Sequence, residues 1–240
     1  MATEPVPNLL AVGAHVGDVE VTMGAIIAAH TALGASATIC HLTLGEGGHG
    51  SKSPAEYAPQ RRREAEASAR ILGAELVTFP FADLGFAGGP EVVEKLAALI
   101  RECRPDVVLC HWPGSFHSGH SHAANCAMQA VSHAASGPSA HRVGSIYCPE
   151  NWEDPFHFVP ELYVDVSDVI GVWEKSCLEH ELFRGGASPF RYLDYYRGAF
   201  AAHGAVAGCA FAVAVAVPPS FSPRRVAHLP GRRFQNPENA

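Results

Sequence analysis

Apolar runs about as long as a β-strand alternate with longer stretches of helical periodicity through the first half of the chain. Asn8–Ala14 predicts a strand followed by a helix to about Leu33, and Ala37–Leu44 a second strand followed by a loop and the charged helix Pro59–Leu72. Glu75–Phe81 leads to a helix over Glu91–Cys103, and Asp106–His111 to a helix from about His120 to Ala135. Gly34, Gly73 and Pro105 punctuate the returns, where a helix end or a strand entry calls for them. Such alternation marks βαβ units around a parallel sheet. The expected fold class is therefore α/β: a Rossmann-like, mostly parallel sheet flanked by helices.

Beyond residue 140 the pattern loosens. Short strands are expected at Ser145–Cys148, Leu162–Val166 and Ala210–Val217, with helices over Val169–Phe183 and Tyr192–His203. No internal repeat and no long linker interrupts the chain, so residues 1–223 are expected to form a single domain. The Pro-rich, basic segment 224–240 is expected to be a flexible tail.

Composition narrows the function classes. A chain of 240 residues with 48% hydrophobic and 17% charged content can bury a large core. The formal net charge of -7 argues against a nucleic-acid partner, because neutralising phosphates takes a basic face. The alternating Arg and Glu of Arg61–Arg70 fit a solvated helix face better than a nucleic-acid patch, with Arg61 set apart as a residue that could face a pocket. There is no basic leader before an apolar run and no apolar stretch of the roughly 18–20 residues a spanning helix needs. A cytoplasmic protein with no membrane partner is expected. The seven scattered cysteines, without a C-x-x-C pair, look like small buried hydrophobes.

In an open parallel sheet, functional groups gather beyond the carboxyl ends of the strands, near the point where strand order reverses. The polar residues here follow that rule. His15, Asp18 and Glu20 follow the first expected strand, Glu46 and His49 the second, Asp83 the third, and the run His111 to His122 the fourth. With strand order 3-2-1-4, the two histidine-bearing loops face one another. Histidine and carboxylate from separate loops make an open zinc site with a position left for water, and zinc polarises carbonyl oxygens and acidifies water. Hydrolysis of an amide or ester is the expected chemistry. Trp112 and Trp152 are candidates to line a substrate cleft, and the glycine-rich loop from Gly45 to Tyr57 has the composition of a mobile cover.

These residues resemble the PIG-L/LmbE-like family of zinc-dependent N-deacetylases. Ala14-His15-Val16-Gly17-Asp18-Val19-Glu20 stands where that family has A-H-P-D-D-x-E. Further matches are Thr43-x-Gly45-Glu46, the helix pattern of Arg61, Glu64, Leu72 and Gly73, Asp83, Pro105 to His111, and the H-x-x-H of His117 to His120; the segment ending at Asp165 resembles the family's return segment. The resemblance implies zinc ligands at His15, Asp18 and His120, and a polarising or protonating His117. It also implies a small N-acylated substrate, an amino-sugar or secondary-metabolite intermediate; Arg61, Asp83 and Trp112 are the residues expected to meet it. Self-association into a homo-oligomer is left open.

Three acidic positions of the pattern are missing, one of them in the C-terminal strand, where the family's A-E-x-F reads Ala212-Val213-Ala214-Val215. Gly17 replaces the aspartate that serves the family as general base, and Gly119 replaces the one beside the last ligand. Glu46 and Glu20 are the candidate substitute bases, Glu46 the favoured one; Glu20 also suits a structural role at a helix N-terminus. A weakened hydrolase remains physically possible, since general-base catalysis is worth about 10²–10⁴ in rate while the metal's polarisation is independent of it. The rival reading is a metal-binding but catalytically silent relative; an esterase or lyase using the same metal is a third. A carboxylate returned to position 17 is expected, on this reading, to raise activity.

Overall fold

A computed structural model of the chain describes residues 5–218 and Phe221; the tail expected at 224–240 lies outside the described residues. Seven strands form one sheet: β1 (Leu9–Gly13), β2 (Ala37–Thr43), β3 (Glu75–Phe81), β4 (Val107–Cys110), β5 (Ser145–Pro149), β6 (Leu162–Asp165) and β7 (Ala212–Ala216). Their order is β3-β2-β1-β4-β5-β7-β6. The first five run parallel, with Leu9 beside both Ala37 and Val107, and β7 joins β5 and β6 antiparallel. The α/β expectation and the order 3-2-1-4 are both met. Strands β1 and β2 are buried along their whole length, which is why their sequences, LLAVG and ATICHLT, do not alternate.

The helices are α1 (Asp18–Thr22), α2 (Gly24–Ala32), α3 (Pro54–Leu72), α4 (Pro90–Cys103), α5 (Ser118–Ala134), α6 (Ile170–Cys177) and α7 (Tyr192–Ala207). One apolar core packs Ile26, Ile27, Leu72, Trp173 and Phe200 on one face of the sheet; the other packs Val92, Leu96, Ile100, Ala127 and Ala130 on the opposite face. Among the described residues no helix is long and apolar enough to cross a membrane.

Among the element boundaries that differ from the sequence expectation, three have a clear local reason. α3 begins five residues before Pro59, because Pro54 occupies its first turn and Glu56 accepts hydrogen bonds from the Ser53 amide (2.9 Å) and hydroxyl (2.6 Å). The first expected helix is two, broken at Met23, where Gly24 lets the backbone approach Trp173. α6 stops at Cys177, short of Phe183, and the chain continues in turns whose Glu181 amide donates to Glu64 Oε1 (3.1 Å).

Candidate active site

The parallel strands β1 to β4 deliver four loops to one end of the sheet, and Asp18 lies where they converge. Its Oδ2 accepts the His15 amide at 2.8 Å and stands 3.1 Å from His15 Nδ1, 3.2 Å from His111 Nε2 and 3.4 Å from His120 Nε2. His15 and Asp18 come from the β1 loop, His111 from the end of β4, and His120 from the first turn of α5. The opposite side of the His15 ring meets Asp83 Oδ1 at 3.1 Å, and Asp83 Oδ2 accepts the Gly47 amide at 2.9 Å.

A pocket of about 230 Å³ opens over this cluster. His15, Asp18, Asp83, His117 and His120 line its polar side; Tyr57, Trp152, Phe183, Tyr192 and Tyr196 wall the rest. Arg61 is its one lysine or arginine, and its donors are committed: Nη2 to the Val16 carbonyl, Nε to the Leu44 carbonyl (3.3 Å) and Nη1 to Glu64 Oε2 (3.1 Å). Arg61 therefore ties the β1 and β2 loops together beneath the pocket. Glu20, fully buried, accepts the Gly17 amide (2.9 Å) and faces His41 Nε2 (3.1 Å), which fixes the same loop from below.

The electrostatics of the cluster call for a cation. Burial opposes charge on His15 and His120, but the carboxylates of Asp18, with Asp83 and Glu153 respectively, outweigh it and raise these rings to about 10 and about 9. Burial likewise pushes Asp18 upward, yet His120 and His15 hold it well below the carboxylate range. Burial and the neighbouring His120 and His15 lower His117. His15, His117 and His120 bring ligand atoms within 4.8 Å of one another, as do Asp18, His111 and His120. The ring nitrogens His117 Nδ1 and His120 Nδ1 are buried without a hydrogen bond; Glu153 Oε2 lies 3.2 Å from the latter but out of alignment. Imidazole and carboxylate without thiolate form a donor set that zinc, iron, nickel or cobalt accepts. The residues fit a divalent metal.

The residues expected from sequence divide clearly. His15, Asp18, His117, His120, Asp83, Arg61 and Trp152 all line the pocket. Trp112 does not. It is 6% exposed, packs edge-on to Phe158 and donates its indole N–H to the Phe156 carbonyl (2.8 Å), so a large apolar side chain next to the histidine run serves the core and not the substrate. Glu46 is absent from the pocket wall too, and its Oε1 accepts the Asp83 amide (3.0 Å), bracing that loop. Asp165 caps the turn at Ser167. The glycine-rich loop is not a free cover; Gly47 is held by Asp83 and Lys52 by Glu181 (2.6 Å). Gly17 lines the pocket with φ +102°, a conformation that disfavours any side chain.

Sequence reasoning missed Glu153. It lines the pocket from the segment between β5 and β6, with its carbonyl accepting the Phe116 amide (2.9 Å) and Ser115 hydroxyl (3.0 Å). Its amide donates to Asn151 Oδ1 (3.2 Å), which also accepts the Tyr196 hydroxyl (2.8 Å). The one signal was the adjacency of acids to Trp152 in an otherwise irregular stretch.

The chain belongs to the PIG-L family, whose model, described as GlcNAc-PI de-N-acetylase, matches residues 10–131. A 4-oxalmesaconate hydratase from Pseudomonas putida is 32% identical over 114 residues, 45% of this chain and 44% of that protein, so the chain matches less than half of that relative's length. In fold, the chain is similar to the 4-carboxy-2-hydroxymuconate hydratase of P. putida KT2440 (TM-score 0.78, 22% identity, covering 93% of this chain and 100% of that one). It is similar also to the N,N'-diacetylchitobiose deacetylase of Pyrococcus horikoshii (TM-score 0.75, 21% identity, covering 88% and 84%). Relatives of this chain are thus deacetylases and hydratases.

Proposed function

We propose that the chain is a zinc-dependent amidohydrolase that removes an acetyl or other acyl group from a small N-acylated molecule, an amino-sugar or secondary-metabolite intermediate, in the cytoplasm. It acts without a nucleic-acid or membrane partner, and homo-oligomerisation is compatible with this role. The observation that carries the reading is the convergence of three imidazoles on Asp18 at the floor of a pocket whose other carboxylates, Asp83 and Glu153, suit an amine product. A divalent metal bound by His15, Asp18 and His120 supplies Lewis-acid polarisation of the acyl oxygen and acidification of water.

The chain's own residues supply the rest. Of the pocket carboxylates, Asp18 is enclosed by imidazoles and Asp83 is held between Gly47 and His15 through its two oxygens, whereas Glu153 meets a protein group through Oε2 alone, 3.2 Å from His120 Nδ1, on a backbone anchored by Ser115. Glu153 accepts the proton of the attacking water as the new C–O bond forms, and returns it to nitrogen as the C–N bond breaks. His117 donates to the acyl oxygen as negative charge develops there.

The 32% identical relative favours a second reading, a hydratase adding water to an unsaturated acid, while Gly17 favours a metal-binding but silent relative. Against the hydratase stands the engagement of Arg61 with Leu44, Glu64 and Val16, since Arg61 is the one arginine or lysine lining the pocket that could meet a further carboxylate. Zinc-loaded protein should release amine from a panel of N-acetyl sugars and N-acetyl amines, with an apo control inactive. Loss of ultraviolet absorbance from unsaturated oxo-acids without any amine release would establish the hydratase instead, and inertness toward both would leave the metal-binding, silent relative.

A further inference from the structure

We propose that an aromatic platform at the pocket mouth, built by Phe116, Trp152 and Phe190, binds a flat apolar ring on the amine side of the substrate; the inference rests on the amidohydrolase reading for what it calls the amine side. Three of the loops that form the pocket set a large apolar residue directly beside a polar pocket residue: Leu84 beside Asp83, Phe116 before His117, and Trp152 before Glu153. Leu84 is 71% and Phe116 53% exposed. Trp152 lines the pocket and reaches outward through its neighbours: Phe190 stacks on it with centroids 4.8 Å apart and planes 24° from parallel, and Phe116 meets it edge-on at 5.5 Å and 75°. Phe190 in turn packs edge-on to Tyr192 of the pocket wall at 4.7 Å.

The occupant follows from size and continuity. A pocket of about 230 Å³ is below the roughly 300–1,000 Å³ that encloses a drug-sized ligand. It accommodates an acyl group and its amide, so the remainder of a larger amine must pass the lining, in which Trp152 stands with Phe116 and Phe190 packed on it. Apolar surface left in water next to a polar site marks a ligand contact, and the offset and edge-on packing already present among the rings is the geometry by which another ring adds to the row. The one arginine or lysine among the pocket-lining residues, Arg61, is engaged with Val16, Leu44 and Glu64, and Arg191 beside Phe190 pairs with Asp194. A flat apolar group suits the rim better than an anionic one.

The test compares two ligands that differ only in the ring, N-benzylacetamide and N-ethylacetamide, by calorimetric titration of the metal-loaded protein. The benzyl compound should bind about tenfold more tightly, the effect of one added aromatic contact together with its burial. Phe116→Ala and Trp152→Ala should each bring the ratio of the two affinities toward one. A general loss of folding would weaken both ligands and leave the ratio unchanged. Equal affinity in the native protein, no binding of either compound, or a ratio that survives both substitutions overturns the proposal. Release of amine from the same compounds is measured separately: its absence, with the binding ratio intact, counts against the amidohydrolase reading and not against the platform.

Discussion

A Cβ placed on Gly17 would lie 3.1 Å from Nη2 of Arg61, and 3.3 Å from Cζ of Phe183. The space that the family's aspartate would enter is occupied by the side chain that ties the β1 and β2 loops together, and the backbone at 17 has φ +102°. The expectation that a restored carboxylate would raise activity is therefore reversed. Gly17→Asp should lower stability by roughly 1–3 kcal/mol, the cost of a side chain in such a conformation, and should not increase turnover. Thermal melting and amine release check this together; an unchanged melting temperature with faster hydrolysis would refute it.

Metal binding should displace protons. His15 and His120 titrate near 10 and 9 in the protein against 6.5 in an unfolded chain, so at pH 7 both rings carry protons that a cation must replace. Titration with zinc in two buffers of different ionisation enthalpy should report net proton release, and affinity should rise with pH. His15→Ala and His120→Ala should each lose the metal; full metal content in both would refute the ligand assignment.

The same shifts set a stability profile for chelator-treated protein. A ring whose folded pKa is raised contributes stability that is fully present below 6.5 and lost as pH rises through 9 to 10. The melting temperature of the metal-free protein should therefore fall between pH 7 and 10, and His15→Gln should flatten that fall.

Glu153→Gln should retain metal and fold while losing about 10²–10⁴ of the hydrolysis rate, the range attributed to general-base catalysis. His117→Ala should retain metal and lose about 10²-fold, the lower end of the cost of removing an oxyanion donor. Glu46→Gln should cost less than Glu153→Gln, because Glu46 reaches the pocket only through the Asp83 backbone. The reverse order would return Glu46 to the role of base.

Asp154 is buried beside Glu153 with neither oxygen hydrogen-bonded, and burial raises it from 3.8 to about 7. Between these values the folded protein holds a proton that the unfolded chain has released, so stability declines as pH rises through this window and is level above it. Asp154→Asn should stabilise the protein at pH 8 by on the order of 2 kcal/mol and have little effect at pH 4, as denaturant titration at the two values would show.

The sheet and the gathering of histidines and aspartates at its end were legible because both are written locally. Apolar runs ending in His15-x-x-Asp18, Asp83 and His111 place those residues at strand ends before any tertiary contact is known. Roles decided by contacts across the chain were not legible. Trp112 and Trp152 are equivalent as residues in a list; one finds a carbonyl at Phe156 and sinks into the core, while the other is stacked on Phe190 at the pocket. Glu46 and Glu153 differ in the same way, since which acid points into a pocket is set by partners 37 and 38 positions away, Asp83 and Ser115. The break of α6 and the early start of α3 likewise turn on Glu181, Ser53 and Glu56 side chains, which periodicity does not record.

The segment that carries Trp152 and Glu153 leaves β5 and returns as β6, yet β7 lies between those two strands. Its ends are pinned to that intervening strand, Glu150 N–H to the Ala214 carbonyl and Glu161 N–H to the Val215 carbonyl, both at 2.9 Å. The segment that carries Trp152 and Glu153 thus takes its anchors from residues 212–216, whereas His15, Asp18, His111 and His120 all come from the first 120 residues. The cluster and the wall that faces it are supplied from opposite ends of the chain, and a change in the last strand reaches the pocket through Glu150 and Glu161 without touching a member of the cluster.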